Sequence, residues 1–87
     1  MANHASAKKR IRQTLKRTAR NKHLRTTVRT HIKRVRAAIE AEDKGAAEAA
    51  LKLAVAKIDG AVHKGIYHRK TGSRYISRLT RQVQGLG

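Results

Sequence analysis

Apolar residues in the first half of the chain are spaced as on one face of a helix. They recur at steps of four, four, three and four, at Leu24, Val28, Ile32, Val35 and Ile39. At about 100° per residue these positions fall within an arc of about 80°. Because the stretch contains neither Pro nor Gly, we predict one long helix from about residue 7 to about residue 41, with Ser6 as its N-cap and residues 1–6 loose.

Two further segments have the same kind of spacing. A second helix is predicted from about residue 44 to about residue 64, with its apolar face at Ala47, Leu51, Ala54, Val55, Ile58 and Val62. Asp43 is placed to cap its start and Gly65 to end it. A third helix, from about residue 70 to about residue 85, has its apolar row at Ile76, Leu79 and Val83.

The expected fold is all-α, a three-helix antiparallel bundle in one domain of 87 residues. No stretch alternates between polar and apolar residues as a half-buried strand would. The second and third helices are each shorter than the first and can cover only its C-terminal half. The N-terminal half of the first helix must therefore project from the bundle.

Charge changes the picture of this projecting half. The chain has a formal net charge of +17. Residues 7–39 contain no acidic residue and thirteen basic ones, namely Lys8, Lys9, Arg10, Arg12, Lys16, Arg17, Arg20, Lys22, Arg25, Arg29, Lys33, Arg34 and Arg36. A solvated helix face normally mixes charges, since like charges four residues apart are destabilising. The composition therefore predicts a polyanionic partner, and we expect residues 8–22 to be frayed until that partner binds.

The predicted contact residues form two sets, one on the first helix and one on the third. They are Lys8, Lys9, Arg10, Arg12, Lys16, Arg17, Arg20, Lys22, Arg25, Arg29, Lys33, Arg36, His68, Arg69, Lys70, Arg74, Arg78 and Arg81. Phe and Trp are absent, and Tyr67 and Tyr75 are expected to pack in the small core. Phosphates and nucleic-acid shape should therefore be recognised rather than stacked bases.

Other classes of function fit less well. The chain has no Cys, no carboxylate placed to complete a metal site with its histidines, and no pairing of a base with a nucleophile. We expect no cofactor, no metal, no small-molecule substrate and no enzymatic activity. No apolar run could span a bilayer, so no membrane partner is expected either. A histone-like protein that compacts DNA remains the alternative, because charge alone does not separate RNA from DNA.

The acidic residues also bear on orientation. Four of the five lie near the first turn, at Glu40, Glu42, Asp43 and Glu48. Phosphates would repel this cluster. We therefore expect the turn to point away from the nucleic acid, with the N-terminal half of the first helix and the third helix facing it.

Several short motifs, taken in order, resemble the bacterial family of small-subunit ribosomal protein twenty. They cover nearly the whole chain, and are Ala2-Asn3, Ser6-Ala7-Lys8-Lys9-Arg10, Arg29-Thr30, Ile32-Lys33, Ala37-Ala38-Ile39, Lys64-Gly65, His68-Arg69, Arg74 and Ser77-Arg78-Leu79. The resemblance implies a cytoplasmic, non-catalytic ribosomal protein with a long first helix. It also implies direct binding to small-subunit ribosomal RNA early in assembly, at the body and the lower part of the long helix near the 3′ end, with room for contacts to other ribosomal components.

One segment departs from that family pattern. After Gly65 the family usually has His, a basic residue, Asn, any residue, Ala, Ala and Arg, whereas this chain has Lys70 for Asn and Gly72-Ser73 for the two alanines. A helical Gly costs about 1 kcal/mol relative to Ala. The start of the third helix is therefore expected to be weakened at Gly72.

Overall fold

Three helices joined by two short turns form the part of the chain described by the structure, a computed structural model covering residues 3–86. Helix α1 spans Asn3–Glu40, α2 spans Lys44–His63 and α3 spans Arg69–Gln84. No strand occurs within this range. The predicted all-α antiparallel bundle with a long first helix is confirmed, and the bounds of α2 and α3 lie within one residue of those predicted.

The start of α1 differs from the prediction. The helix begins at Asn3, so residues 3–6, predicted to be loose, are helical and Ser6 is not its N-cap. The physical reason is that no Pro or Gly interrupts these residues, while Ala5 and Ala7 are the strongest helix formers. Met1 and Ala2, also predicted to be loose, lie outside the described residues.

Helices α1 and α2 end in the same way. In each, the residue after the cap has a positive φ, 56° at Glu42 and 77° at Gly65. The next amide then bonds back five residues, from Asp43 to the Ala38 carbonyl at 3.1 Å and from Ile66 to the Ala61 carbonyl at 2.9 Å. This is the Schellman motif, which favours Gly at the left-handed position. Gly65 fits it as predicted, whereas Glu42 adopts a conformation that costs a residue with a Cβ about 1–2 kcal/mol.

The starts of α2 and α3 are capped by side chains. The Asp43 carboxylate accepts a hydrogen bond from the Ala46 amide at 3.1 Å, as the sequence predicts. The cap of α3 is His68, whose Nδ1 accepts from the Lys70 amide at 3.1 Å. Each cap satisfies a helix donor that has no partner within the helix.

The core lies between the C-terminal half of α1 and the two shorter helices. Its buried members are Val28, Val35, Ala47, Ala54, Ile58, Ala61, Leu79 and Val83. The predicted apolar faces supply all of these except Ala61, while the predicted Leu51, Ile32, Ile39 and Ile76 pack at the edge, partly buried. Small side chains dominate on α2, which lets the helices approach closely.

Gly72 lies where α3 packs tightly against α2. It is buried within α3, and a Cβ built on it would lie 2.5 Å from Cγ2 of Val62. Real Cβ atoms essentially never come so near another heavy atom. The glycine that should weaken the helix locally is therefore needed for packing between helices.

The N-terminal half of α1 has no such packing. Every residue from 4 to 20 is exposed, and the first partly buried residue is Asn21. We call residues 4–20 the arm. The molecule measures 67 × 21 × 14 Å, and the arm accounts for much of its long dimension.

Candidate nucleic-acid interface

All eighteen predicted contact residues are exposed. Twelve lie on α1 and six on α3 or its N-cap. Their distribution is not uniform, because the packing of α3 beside α1 brings some of them together and leaves others apart.

A groove between α1 and α3 joins the two predicted sets. Arg29, Lys33 and Arg36 line it from α1, and Arg78 lines it from α3. Its remaining walls are Ile32, Tyr75, Leu79 and Gln82. Four cations thus surround a partly apolar floor, which concentrates positive charge around one space and favours an anionic partner.

The groove shares lining residues with two other depressions. Toward the N-terminus, Arg29 also borders a depression lined by Thr18, Asn21, Lys22, Arg25 and Thr26. Toward the C-terminus, Arg36 also borders one that contains Arg81. We call this row the cationic track, consisting of Lys22, Arg25, Arg29, Lys33, Arg36, Arg78 and Arg81.

The arm carries a second cationic surface on a different side of α1. Lys9, Arg12 and Lys16 line one depression there with Ala5 and Gln13. At about 100° per residue, these three cations lie roughly 100–160° around the helix from Arg29. A single straight polyanion along the track would not reach all of them, so the arm presents charge in more than one direction.

The predicted residues of α3 divide in a similar way. Lys70, Arg74, Arg78 and Arg81 share an arc of about 80°, whereas Arg69 lies on the opposite side of the helix from Arg78. Four of the predicted cations on α3 therefore share one surface, and Arg69 does not lie on it.

His68 has a structural role that the sequence did not indicate. To accept the Lys70 amide, its Nδ1 must be unprotonated, which leaves the Nε2 side of the exposed ring facing outward. A contact from this residue to a partner would come from that nitrogen. The signal in the sequence that could have indicated this cap is the position of His68 directly before the first residues of α3.

The two tyrosines pack against the core, as the sequence predicts, and also against each other. Their rings meet edge to face, with centroids 5.9 Å apart and planes at 81°. Both are partly buried against the core. This arrangement stabilises the turn between α2 and α3 and offers no flat aromatic platform for bases.

The acidic residues lie at the far end of α1 from the arm. Glu40, Glu42, Asp43 and Glu48 are all exposed there. Glu40 borders the same depression as Arg36 and Arg81. The cationic track therefore ends at an acidic turn, where Arg36 and Arg81 share a depression with Glu40.

Other kinds of site are not supported in the part of the chain that the structure describes. Residues 3–86 contain no group of three or more His, Asp or Glu side chains that could hold a metal ion. None of the three helices there is both long enough and apolar enough to cross a membrane.

The fold and this surface define a class: small, basic, all-α proteins with an extended cationic surface, whose usual partners are polyanions. Comparison with known proteins narrows the class to one family. Residues 2–84 match the family model described as Ribosomal protein S20. The chain therefore belongs to the ribosomal protein S20 family, as its motifs predict.

Similar proteins cover essentially the full length of the chain. The small ribosomal subunit protein bS20 of Citrifermentans bemidjiense is 60% identical over 87 residues, 100% of each chain. That of Geotalea daltonii is 56% identical over 86 residues, and that of a Marinomonas species 48% over 86, each match covering 99% of both chains. The family is one of structural ribosomal components, and the protein is accordingly not an enzyme.

Proposed function

We propose that the protein binds small-subunit ribosomal RNA directly, through its phosphates and shape, and thereby supports assembly of the subunit. The observation that carries this proposal is the cationic track, whose three depressions share Arg29 or Arg36 and bring cations of α1 and α3 together. Membership of the family supports a role in the ribosome, and the cationic track supplies the side chains that would contact RNA.

Electrostatics favour phosphate contact over base recognition. Between residues 3 and 39 no carboxylate is available to neutralise the cations, so the folded protein repels itself until a polyanion is bound. Binding of such a partner to the folded state alone stabilises it by mass action. With both tyrosines packed against the core, side-chain stacking on bases contributes little.

Support for assembly follows from the shape of the molecule. The arm extends well beyond the bundle, so one protein can touch RNA segments far apart along its 67 Å length. Cations on different sides of the arm can each meet a different segment. Holding such segments together early is a structural role that needs no cofactor and no small-molecule substrate.

The experiment is RNA binding at several salt concentrations with competitors present. Small-subunit ribosomal RNA transcribed in vitro is titrated with the protein in the presence of excess duplex DNA and unrelated RNA. We expect saturable one-to-one binding that survives both competitors. Equal loss of binding to either competitor would contradict the proposal and favour the histone-like, DNA-compacting alternative.

Matched charge variants locate the contact surface. Arg29→Gln, Lys33→Gln and Arg78→Gln together remove three charges from the track, and Lys44→Gln, Lys52→Gln and Lys64→Gln remove three exposed charges from α2 and its cap. Each lost phosphate contact should lower the salt slope of log K by about 0.7–0.9. The track variant should lose about two units of slope and the α2 variant little. Equal losses would show that net charge alone governs binding.

A further inference from the structure

The arm carries an exposed apolar stripe that the bundle does not use. Ile11 is 59% exposed and Leu15 is 64% exposed. With Ala7, Arg10 and Thr14 they line a shallow depression on the arm. Large apolar side chains left in water on an otherwise polar helix contribute nothing to the fold, so their presence here calls for a partner.

The stripe lies in line with the cationic track. At about 100° per residue, Ala7, Ile11 and Leu15 fall within about 40° of the direction in which Arg29 points. Thr18 continues the same line and borders the depression that holds Lys22 and Arg25. One side of α1 is therefore apolar at residues 7–15 and cationic at residues 22–36.

Cations border the stripe on both edges. Arg10 and Arg17 lie about 100–120° to one side of Ile11, and Lys8 and Arg12 lie about 60–100° to the other. Over residues 7–19, the uncharged positions 7, 11, 14, 15 and 18 share an arc of about 100°, with Lys8 beyond one edge and Arg10 beyond the other. The apolar line thus has a positive rim on each side.

This pattern matches a groove of a nucleic-acid duplex. A groove has a phosphate strand on either rim and sugars and base edges on its floor. The RNA minor groove is wide and shallow and displays its 2′-hydroxyls, so a helix can rest on it without being inserted. A second copy of the arm is disfavoured, because it would bring two sets of unneutralised cations together.

We propose that the stripe of Ala7, Ile11 and Leu15 packs on the minor groove of an RNA duplex, while its rim cations reach the two phosphate strands. This inference rests on the proposed RNA binding and assigns a distinct contact to the arm. Thr14 adds a polar group at the edge. Its hydroxyl donates to the Arg10 carbonyl at 2.9 Å, which leaves the oxygen free to accept from a ribose 2′-hydroxyl.

The test is the double variant Ile11→Gln, Leu15→Gln, titrated against in vitro transcribed small-subunit ribosomal RNA over a range of salt. Gln forms helices about as well as Leu and better than Ile, so the arm should keep its helical tendency. We expect a loss of affinity of about tenfold or more with an unchanged salt slope, because apolar contact is removed and no phosphate contact is lost.

Two controls make the result specific. Leu53→Gln changes a leucine that is 54% exposed on α2, away from the stripe, and should bind as the wild type does. Ile11→Met with Leu15→Met keeps the stripe apolar and should retain affinity. Wild-type affinity in the Gln double variant would overturn this inference alone, whereas failure of the wild type to bind RNA would overturn the proposed function with it.

A crosslinking experiment identifies what covers the stripe. A benzophenone side chain placed at Leu15 reacts with nearby C–H bonds, and the same group at Leu53 serves as control. We expect crosslinks from Leu15 to riboses of base-paired nucleotides and none from Leu53. Crosslinks confined to unpaired loops, or absent from Leu15 when the labelled protein is bound, would contradict the minor-groove assignment.

Discussion

The two halves of α1 share one helix and one kind of composition, yet only one half is part of the fold. Both are rich in Lys and Arg, and neither contains an acidic residue before Glu40. Every residue from 4 to 20 is exposed, whereas Val28 and Val35 in the second half are only 2% and 0% exposed. The difference lies in where the apolar residues point, since those of the second half face α2 and α3.

Helical continuity therefore says little about stability. In the second half, burial of apolar surface offsets the cost of ordering the chain. In the arm, intrahelical hydrogen bonds must do so against repulsion between like charges, and isolated helices of this length are marginal in water. The following predictions test this contrast, from the largest expected effect to the smallest.

A buried charge should separate the two halves most clearly. Val35→Asp places a carboxylate at a position that is 0% exposed, with no partner to compensate it. We expect a loss of more than about 4 kcal/mol, enough to abolish cooperative unfolding of so small a domain. Leu15→Asp on the arm should leave the midpoint unchanged. Thermal unfolding followed by circular dichroism measures both, and equal effects would refute the division.

Amide hydrogen exchange should show the same contrast without mutation. Amides of the buried face, such as that of Val35, should be protected up to the limit set by global unfolding. Amides of residues 8–20 should exchange almost as fast as in an unfolded chain, because their helix has no tertiary support. Adding RNA should protect them. Strong protection of residues 8–22 in the free protein would contradict the prediction that the arm orders on binding.

Two glycines test the packing of the bundle. Gly72→Ala would place a Cβ 2.5 Å from Val62, so we expect a net loss of about 1–2 kcal/mol even though Ala favours the helix. Gly60→Ala is the matched control, because its Cβ would meet nothing within 4 Å, and it should stabilise by about 0.5–1 kcal/mol. Urea unfolding gives both values.

Recovery of stability in a double variant would confirm that the contact with Val62 causes the loss expected for Gly72→Ala. Adding Val62→Ala to Gly72→Ala removes the clashing methyl groups and should recover part of the loss. A stabilising effect of Gly72→Ala by itself would instead show that local helix propensity outweighs the contact between α2 and α3.

The smallest effect expected is a dependence on pH at His31. Partial burial lowers the pKa of this imidazole below its ordinary value of 6.5, and the charges of Arg34 and Lys57 lower it further. The unfolded chain therefore takes up the proton more readily, so stability falls as pH decreases below 6.5 and is unaffected above it. His31→Gln should reduce the loss of stability between neutral and mildly acid pH, measured by thermal unfolding at several pH values.

Local signals in the sequence predicted much of the fold. Asp43 and Gly65 were correctly placed at helix ends because their chemistry suits only a few backbone positions. The prediction of Ser6 as the N-cap of α1 was wrong. A residue that can cap a helix does not fix its start where the residues before it also favour the helix. The packing role of Gly72 could not be predicted, because the reason for that glycine is Val62 on another helix.

Some features of the candidate interface can likewise be predicted from the sequence, and others depend on the tertiary structure. The amount of positive charge, its segregation from the acids and the absence of stacking aromatics can all be read from composition and order. The cationic track cannot, because Arg78 joins Arg29 and Lys33 only when α3 packs beside α1. Proximity of residues about fifty positions apart along the chain depends on the core between them.

The sequence alone thus determined the helices, their approximate bounds, the overhang of the basic segment and the polyanionic character of the partner. These properties follow from periodicity, length and charge, which are local or additive. Tertiary structure decided which cations share a surface and why Gly72 is tolerated within a helix. Those outcomes depend on the rotation of one helix against another, which only the packing of side chains settles.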